Sequence, residues 1–419
     1  SDSLGEFDSI LFAFGNGTRI QEIDRILYPH SIGAVYSAIT EFLGFEMYSG
    51  EGKVMGLSAY GKIDSKLDLS PLIQLNESGK FVIDTKFFVF QILPWSHNNW
   101  ISKHFLKTFG PKRGKNEPID GRHADIARSL QDITDNTLMH LCTDLSHKTC
   151  SPNLCYAGGV ALNGYGNSRI LTEKKFSRLF VQPAANDGGT SLGAALYHSH
   201  HTLGIPRTIC EGDSFLGPHF TVENCEKALR ATRIPFHRSE NLVREAAKRI
   251  FDGRIIGWFQ GRMELGPRAL GHRSILANPC DPRMKDHLNL CVKHRESFRP
   301  FAPVVTEDKA EKFFDLPAAR SPYMLLIVPV RREWRDRLPA ITHIDGTARV
   351  QTVNPEGDPK MFELLLEFER LSGVQILLNT SFNGPSEPIV CTPEDAIRTF
   401  QNHRIDDLVL EDFLTDVRF

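Results

Sequence analysis

The chain has 419 residues, of which 41% are hydrophobic and 24% charged, with a formal net charge of −2. These values are typical of a soluble globular protein with two or three domains. The near-neutral charge argues against general affinity for nucleic acid or acidic membranes. The eight cysteines form no Cys-x-x-Cys pair, and the apolar runs are too short to span a bilayer. We therefore expect a reduced, cytoplasmic protein that binds neither nucleic acid nor a membrane.

The N-terminal segment predicts a β-hairpin. Apolar residues at 10–14 run into Gly15-Asn16-Gly17, and Asn-Gly between apolar runs is a strong hairpin signal. No initiator Met, signal peptide or targeting helix precedes this hairpin. Because a domain seldom begins so abruptly, we expect that the chain lacks its natural beginning or that the beginning is a separate polypeptide.

The next segments predict two helices and a turn. Pro29 and Ser31 are typical of a helix start, and Gly44 is typical of its end. Residues 49–57 are rich in glycine and contain one lysine, but they lack the Gly-Lys-Ser/Thr ending of a P-loop, so we interpret them as a turn. Apolar residues at helical spacing predict a buried helix over 123–145.

Two strand–turn–helix segments each carry a pair of glycines. Gly158-Gly159 follows a predicted strand at 153–157, and Asp187-Gly188-Gly189 follows a strand at 179–181. Such turns bring backbone N–H groups and a helix N-terminus against a phosphate. Two of them about thirty residues apart indicate an actin-like nucleotide-binding fold. Asp187 is either a helix N-cap or, as we prefer, the ligand of a divalent cation.

The most informative stretch is Gly261–Pro303. Between residues 262 and 299 it holds eight basic side chains and four acidic ones. A charge run is usually a solvated face, but this one includes Gly-Pro, further glycines and Arg-Pro-Phe-Ala-Pro, which demand particular backbone angles. The planar fork of arginine suits phosphate. The stretch therefore predicts a fixed site for a small polyanion.

The C-terminal half alternates predicted helices and strands. We predict helices at 222–232, 242–251, 361–371 and 392–399, and strands at 255–259, 323–330, 348–353 and 374–378. The segment Leu378–Gly384, which is rich in amides and hydroxyls, would connect a strand to a helix. It is either a self-bonded turn or a loop that binds a carbonyl or ribose group, and we leave both interpretations open.

Together these motifs resemble the O-carbamoyltransferases of nodulation, cephem and aminoglycoside (nebramycin) tailoring. The segments that carry the resemblance are PHSIGAVYSAITEFLGF, GEGKVMGLSAYG, GGVALN, NDGGTSLGAAL, GPRALGHRSIL and KHRESFRPFAP. The resemblance covers essentially the whole chain. It implies an α/β protein with an actin-like, Kae1-type domain over 1–211, incomplete at its N-terminus, and a YrdC-like domain over 212–419.

The resemblance also implies a two-step reaction and its residues. Carbamoyl phosphate and ATP would form carbamoyl-adenylate, and a metal-assisted site would then pass the carbamoyl group to a hydroxyl of a small molecule. The implied catalytic residues are Arg268, Lys293 and Arg299. The implied binding residues are Arg273, Arg349, Asn379, Gly158, Gly159, Asn163, Gly188 and Gly189. Asp187 and Asp2 would hold a divalent metal, either iron or an ion of the magnesium or manganese type.

Two departures from the family pattern concern the metal. The family places a His-x-x-x-His motif upstream of Asp2, whereas this sequence contains no such motif, and Ser3 stands where a glycine is expected. Three explanations stay open: an upstream partner polypeptide that supplies the histidines, a truncated chain, or a degenerate paralogue.

The acceptor is not determined by any motif. Among the family's acceptors, the chitooligosaccharide of nodulation factors is our first expectation. One alternative is a non-catalytic or partner-dependent nucleotide-binding subunit. A further alternative is a carbamoyl-adenylate enzyme that serves tRNA or a protein.

Overall fold

The computed structural model describes residues 1–63, 67–91, 99–207 and 214–416. The chain divides into two compact units, Ser1–Cys210 and Glu211–Phe419. The domain boundary that we expected between residues 211 and 212 lies within 208–213, outside the described residues. Helices and strands occur in both units, so the protein is of the mixed α/β class. In the described part of the chain, no helix is long and apolar enough to cross a membrane.

The first unit combines helices with short two-stranded sheets. Its elements are β1 (Asp8–Asn16), β2 (Arg19–Leu27), α1 (Ile32–Phe42), α2 (Glu51–Ser58), β3 (Ile73–Leu75), β4 (Phe81–Ile83), α3 (Lys103–Phe109), α4 (Gly121–Thr149), β5 (Asn153–Tyr156), α5 (Gly164–Thr172), β6 (Arg178–Val181) and α6 (Thr190–Tyr197). The described strands pair as β1–β2 and β3–β4, both antiparallel, and as β5–β6, which is parallel.

Local signals explain most of these elements. The predicted hairpin is confirmed, since Asn16 pairs with Arg19 and Gly17 adopts a φ of +58°. Helix α1 begins where predicted, because the Ser31 side chain accepts a hydrogen bond from the Ala34 N–H. Helix α4 is also confirmed, and its start is fixed by a capping box at Asp120.

The predicted turn at 49–57 is wrong. These residues form helix α2, in which Val54, Met55 and Leu57 are buried. The helix packs against α4, and this burial outweighs the low helix propensity of its glycines.

The second unit is built on a large mixed sheet. Its elements are α7 (Val222–Arg230), β7 (Phe236–Arg238), α8 (Leu242–Phe251), β8 (Ile256–Phe259), β9 (Arg273–Ala277), α9 (Met284–His287), β10 (Ala302–Thr306), α10 (Glu307–Phe313), β11 (Leu326–Pro329), β12 (Thr347–Val353), α11 (Pro359–Ser372), β13 (Ile376–Ser381), α12 (Pro393–Asn402), β14 (Asp407–Leu410) and β15 (Phe413–Thr415). In the described residues the sheet has nine strands in the order β11-β12-β10-β13-β9-β8-β14-β15-β7.

The predicted helices and strands of this half are present, with small differences at their ends. Strands β10 and β13 lie near the middle of the sheet and are almost entirely buried. Helix α11 packs against both of them and against α8. The central strands therefore form a rigid base on which side chains can be held in place.

Candidate functional site

The sheet of the second unit brings Arg349 and Asn379 to one face. Asn379 on β13 pairs with Ala302 on β10. Strand β10 also pairs in parallel with β12, where Val304 lies opposite Gln351, so Ala302 lies beside Arg349. Paired residues of neighbouring strands project from the same face. Arg349 and Asn379 therefore flank the small side chain of Ala302.

This geometry corrects the prediction for Leu378–Gly384. We expected a connecting segment from Leu378 onward, but β13 continues to Ser381. The reason is that Leu378 to Ser381 pair with residues 274–277 of β9 on one side, and Asn379 and Leu378 pair with β10 on the other. Backbone pairing on both sides outweighs the turn preference of the polar side chains.

Four arginine side chains of the second unit lie close enough for their charges to interact. We call them the arginine cluster: Arg268, Arg295, Arg299 and Arg349. Burial is the largest cause of the lowered pKa of each, and neighbouring guanidinium groups add to it for three of them. The pKa falls to about 10 for Arg268 and to about 9 for Arg295. The pKa of Arg349 falls well below its ordinary value because, besides burial, all three other arginines act on it.

Little negative charge offsets this cluster. Within the described residues, the ion pair recorded for it joins Arg299 Nη1 to Glu296 Oε2 at 3.8 Å. The Nε atom of Arg268 is buried without a hydrogen-bond partner. Burying positive charge without an opposite charge costs free energy, so such an arrangement is expected where function requires an anion. The cluster therefore has the chemistry of a polyanion site.

Arg295 was not among the predicted site residues, yet it is firmly held in the cluster. Its guanidinium lies over the Phe301 ring, 4.6 Å from the centroid. Its Nε donates to Asn289 Oδ1 at 2.7 Å, and Asn289 Nδ2 donates to the Arg299 carbonyl oxygen at 3.1 Å. The sequence signal was its spacing, since Lys293 and Arg295 flank a single residue just before the Arg-Pro-Phe turn.

Lys293 lies beside the cluster and binds the end of β13. Its Nζ donates to the carbonyl oxygen of Asn383 at 2.9 Å, to Asn383 Oδ1 at 2.7 Å and to the Ser381 carbonyl oxygen. These oxygens use all three N–H groups of an ammonium ion. Burial is the largest cause of the lowered pKa of Lys293, followed by Arg295 and Arg299. Lys293 therefore fixes the segment that follows Asn379.

Arg273 has a different environment from the cluster. It is fully buried, and its guanidinium donates to the carbonyl oxygens of Gln260 at 2.6 Å, His272 at 3.0 Å and Gly261 at 3.1 Å. It lies 3.5 Å from the centroid of the Phe259 ring. These contacts close the loop at 261–272. They give Arg273 a structural role, and the supporting role in binding that the resemblance implied for it stays a prediction.

Glu264 shapes the same loop and was missed by sequence reasoning. Its buried Oε1 accepts three backbone hydrogen bonds, from Leu270 N at 2.7 Å, His272 N at 2.8 Å and Arg273 N at 3.1 Å. The loop wraps around this carboxylate, which explains the glycines with positive φ on both sides of Arg268. The position of Arg268 thus depends on a buried acid four residues before it.

In the first unit, Asp2 meets the first of the two glycine turns. Asp2 Oδ2 accepts the Gly159 N–H at 2.7 Å, and the Gly158 N–H donates to the Ala185 carbonyl oxygen at 2.8 Å. Gly158 has a φ of +99°, and a Cβ there would lie 1.9 Å from the carbonyl oxygen of Ser1. The glycines therefore permit close approach of three chain segments.

The second turn presents Asp187. Residues Asp187–Gly189 form one 3₁₀ turn before α6, and the Asp187 side chain is exposed. The Gly189 N–H donates to the Asn186 carbonyl oxygen at 2.9 Å. The pKa of the Tyr48 hydroxyl is raised mainly by burial and further by nearby carboxylates, including those of Asp187 and Asp2. Both predicted metal ligands therefore lie in the vicinity of Tyr48.

These two carboxylates match part of a metal site. Asp2 Oδ1 accepts the Ser3 N–H and Asp2 Oδ2 the Gly159 N–H, each at 2.7 Å, so each oxygen keeps a free lone pair. Across residues 1–63, 67–91, 99–207 and 214–416, no group of three or more His, Cys, Asp or Glu side chains could hold a metal ion. The role of Asp2 and Asp187 as metal ligands therefore stays a prediction.

Asn163, for which the resemblance implied a nucleotide contact, lies at the start of α5. Its side chain caps α5 by accepting the Gly166 N–H at 3.1 Å, and it exchanges two hydrogen bonds with the Gln131 amide. Gln131 also donates to Asp135 Oδ1 at 2.7 Å. Burial raises the pKa of Asp135 to about 7. The observed contacts give Asn163 a structural role behind the glycine turn.

Comparison with known proteins gives the same division of the chain. The family model for the carbamoyltransferase N-terminus matches residues 2–196, and the model for the carbamoyltransferase C-terminus matches residues 247–416. The chain belongs to the carbamoyltransferase family. The N-terminal match includes both glycine turns, and the C-terminal match includes the whole arginine cluster.

Individual relatives of this carbamoyltransferase align over nearly the whole chain. An uncharacterized protein of Synechocystis sp. is 40% identical, covering 99% of this chain and 71% of its own length. Nodulation protein NolNO of Sinorhizobium fredii is 39% identical, covering 100% of this chain and 60% of its own length. Nodulation protein NolO of Bradyrhizobium diazoefficiens is 38% identical, covering 100% of this chain and 74% of its own length. The resemblance to nodulation-type carbamoyltransferases is thereby confirmed.

Proposed function

We propose that this carbamoyltransferase activates the carbamoyl group with ATP and transfers it to a hydroxyl group. Carbamoyl phosphate carries its phosphoryl group on the oxygen that must attack ATP, so water first removes that group and leaves carbamate and inorganic phosphate. A carbamate oxygen then attacks the α-phosphorus of ATP, forming carbamoyl-adenylate and releasing pyrophosphate. Finally, the acceptor hydroxyl attacks the carbamoyl carbon, loses its proton and displaces AMP.

The observation that supports this proposal most strongly is the arginine cluster. Carbamoyl phosphate and ATP are both polyanions, and their approach requires compensation of their repulsion. Four guanidinium groups with one ion-paired carboxylate within the described residues supply that compensation. Fixed donors of this kind also stabilise the charge that develops during phosphoryl and nucleotidyl transfer.

The residues of the second unit would have different roles in binding the anions and in holding the site in place. The arginine cluster would bind the phosphate oxygens. Bidentate contacts to phosphate favour arginine over lysine. Lys293 would keep the end of β13 in place through Ser381 and Asn383. Arg273 and Glu264 would maintain the loop that presents Arg268.

The transfer step would belong to the first unit. A divalent cation held by Asp2 and Asp187 would supply Lewis-acid chemistry that favours deprotonation of an acceptor hydroxyl. The two carboxylates suit an ion that keeps several waters, whereas an iron-type ion would take further ligands, such as the histidines of an upstream polypeptide. The glycines at 158–159 and 188–189 would let the adenylate approach the backbone closely.

The acceptor in this proposal is a sugar-containing small molecule. The chitooligosaccharide of nodulation factors is the first candidate, because two relatives that align over the full chain are named nodulation proteins. Product analysis by mass spectrometry with chitotetraose would test it directly, since each carbamoyl group adds a fixed mass to the sugar.

Pyrophosphate release tests the activation step. The full chain would be mixed with ATP and carbamoyl phosphate without any acceptor, alongside Arg268→Met and Arg283→Met. Arg283 is a matched control because its side chain is 88% exposed in the same basic stretch. We expect release by the wild type and by Arg283→Met, and its loss in Arg268→Met. Equal release by all three proteins would contradict the assignment of the site.

A partner-dependent subunit is the second candidate function. It is favoured by the finding that Asp2 and Asp187 are joined by no third metal-ligating side chain in the described part of the chain. In that case the wild type alone would not carbamoylate an acceptor, whether or not it released pyrophosphate from ATP and carbamoyl phosphate. Stoichiometric binding of a divalent metal by the purified chain without a partner would contradict it.

A further inference from the structure

His343 is held in the turn that leads into β12. Its backbone N–H donates to the Thr347 carbonyl oxygen at 2.8 Å, and its carbonyl oxygen accepts the Gly346 N–H at 3.0 Å. The imidazole Nδ1 lies 3.2 Å from the Thr347 hydroxyl oxygen. Thr347 and Arg349 are alternate residues of β12, so their side chains project from the same face of the sheet. The His343 ring therefore contacts the face that carries Arg349 of the arginine cluster.

The neighbours of the His343 ring determine which nitrogen carries the proton. The Thr347 hydroxyl donates to Asp345 Oδ1 at 2.7 Å, because an ionised carboxylate can only accept. The same hydroxyl oxygen must then accept a hydrogen bond from His343 Nδ1, which carries the ring proton. His343 Nε2 is left as an acceptor. Among the residues that the structure describes, no group donates to this buried atom.

The surroundings of the ring keep it uncharged at neutral pH. Burial is the largest cause that lowers the pKa of His343 to about 4, while Asp345 raises this pKa and Arg349 and Lys285 lower it. At pH 7 Nε2 is therefore able to take up a proton. A phosphate bound at the cluster would offset the charge of Arg349, so the pKa of His343 should rise when the anion is present and fall again when it leaves.

The first step of the proposed function requires a base. The water that attacks the phosphorus of carbamoyl phosphate must lose a proton, and arginine side chains have no acceptor atom for it. The ammonium group of Lys293 already donates to oxygens at the end of β13. The carboxylate of Glu296 is ion-paired with Arg299 at 3.8 Å. His343 Nε2, by contrast, is an acceptor next to the cluster that no protein group occupies.

We propose that His343 is the general base for the hydrolysis of carbamoyl phosphate. His343 Nε2 takes one proton from the water molecule whose oxygen forms the new bond to phosphorus. The bond between phosphorus and the bridging oxygen breaks, and carbamate leaves with the electron pair of that bond. The products are carbamate, hydrogen phosphate and a transiently protonated His343. This inference rests on the proposed function, because it assigns a residue to the first step of that reaction.

Carbamate supplied directly provides the test, since it bypasses the step that needs the base. Pyrophosphate release would be measured with ATP and either carbamoyl phosphate or freshly dissolved ammonium carbamate. We expect His343→Gln, which can hold a water molecule but not take its proton, to lose roughly 10²–10⁴-fold of the rate with carbamoyl phosphate. Its rate with carbamate should equal that of the wild type. The control is His219→Gln, which replaces an exposed histidine of the same unit and should change neither rate.

A second variant tests the hydrogen bond that fixes the tautomer. Thr347→Val removes the hydroxyl that accepts from His343 Nδ1 and leaves the imidazole in place. We expect kcat with carbamoyl phosphate to fall by about tenfold, which corresponds to one hydrogen bond. The KM for carbamoyl phosphate and the rate with carbamate should not change. If His343→Gln did not fold, a Thr347→Val protein with the wild-type kcat would overturn the inference.

The outcomes separate this inference from the function beneath it. An equal loss of both reactions in His343→Gln would indicate a structural role, and an unchanged rate with carbamoyl phosphate would indicate another base. Either result would overturn the inference. If the wild type released no pyrophosphate even with carbamate, the adenylation step of the proposed function would fail. Release of inorganic phosphate from carbamoyl phosphate would then test the base by itself, and equal rates in the wild type and His343→Gln, including no release by either, would overturn it.

Discussion

Replacing Arg268 by methionine should stabilise the ligand-free protein while it removes activity. Burial, and after it Arg299, lowers the pKa of Arg268 to about 10. One pKa unit corresponds to about 1.4 kcal/mol, so this fall corresponds to about 3 kcal/mol. The guanidinium is charged in both folded and unfolded chains at pH 7, so this cost of folding is fully present there and diminishes only as the pH rises through about 10.

Methionine is a suitable replacement because it is similar in length and has no charge to desolvate. The Arg268 Nε has no protein partner to lose. We expect a gain of up to about 3 kcal/mol in the free energy of unfolding. For a unit of this size, 1 kcal/mol shifts Tm by roughly 2–4 °C, so the gain in Tm should be no more than roughly 12 °C.

Calorimetric melting in a phosphate-free buffer would measure this change, with and without pyrophosphate as a probe of anion binding. Pyrophosphate should raise the Tm of the wild type by mass action and have a much smaller effect on Arg268→Met. Arg283→Met should match the wild type in both conditions. A lower Tm for Arg268→Met without ligand, or an undiminished rise with pyrophosphate, would refute the reasoning.

Two further changes test neighbouring structural groups. Arg273→Met should destabilise the protein by about 3–5 kcal/mol, because it leaves buried carbonyl oxygens without donors and removes the contact with Phe259. Thermal melting should show a lower Tm than the wild type for this variant and a higher Tm for Arg268→Met. Asp135 has a folded pKa of about 7. The folded chain therefore binds more protons than the unfolded chain between about pH 4 and 7. The free energy of unfolding should fall by up to about 4 kcal/mol as the pH rises through that window. Asp135→Asn should remove that part of the slope in urea unfolding at pH 5 and 8, and an identical slope in both proteins would contradict the assignment.

Much of the fold was predictable because its signals are local. Apolar residues at helical spacing and the Asp120 cap predict helix α4, and Asn16-Gly17 predicts the first hairpin. Each of these features depends on residues within one or two turns of chain.

The failures have a long-range cause. Helix α2 was interpreted as a turn because its glycines are poor helix formers, yet α4 buries its apolar residues from more than sixty positions away. Asn379 was placed beyond its strand because amides favour turns, yet pairing with Ala302 and with β9 holds it in the sheet. Tertiary hydrogen bonds and burial outweigh the local preference of a residue for one type of secondary structure.

Prediction from the sequence was limited in the same way at the candidate site. Sequence composition located the arginine-rich stretch, and the family resemblance implied a catalytic role for Arg268 and a supporting role in binding for Arg273. They differ by five positions in one loop, and only three-dimensional contacts show that the Arg273 guanidinium is occupied by carbonyl oxygens. Arg295 and Glu264 were missed because their contacts form only in the folded chain. Arg295 lies over the Phe301 ring, and Glu264 accepts hydrogen bonds from N–H groups of the loop.

Strand register is therefore part of the proposed chemistry. Arg349 and Asn379 lie about thirty residues apart in sequence, and they share a face only because β10 pairs in parallel with β12 and antiparallel with β13. A slip of one residue in β12 would turn Arg349 and Gln351 to the opposite face. The slip would remove one guanidinium from the cluster and would also release the Asn379 amide, since Gln351 fixes its orientation. The position of Arg349 and the orientation of the Asn379 amide thus depend on the same strand pairing.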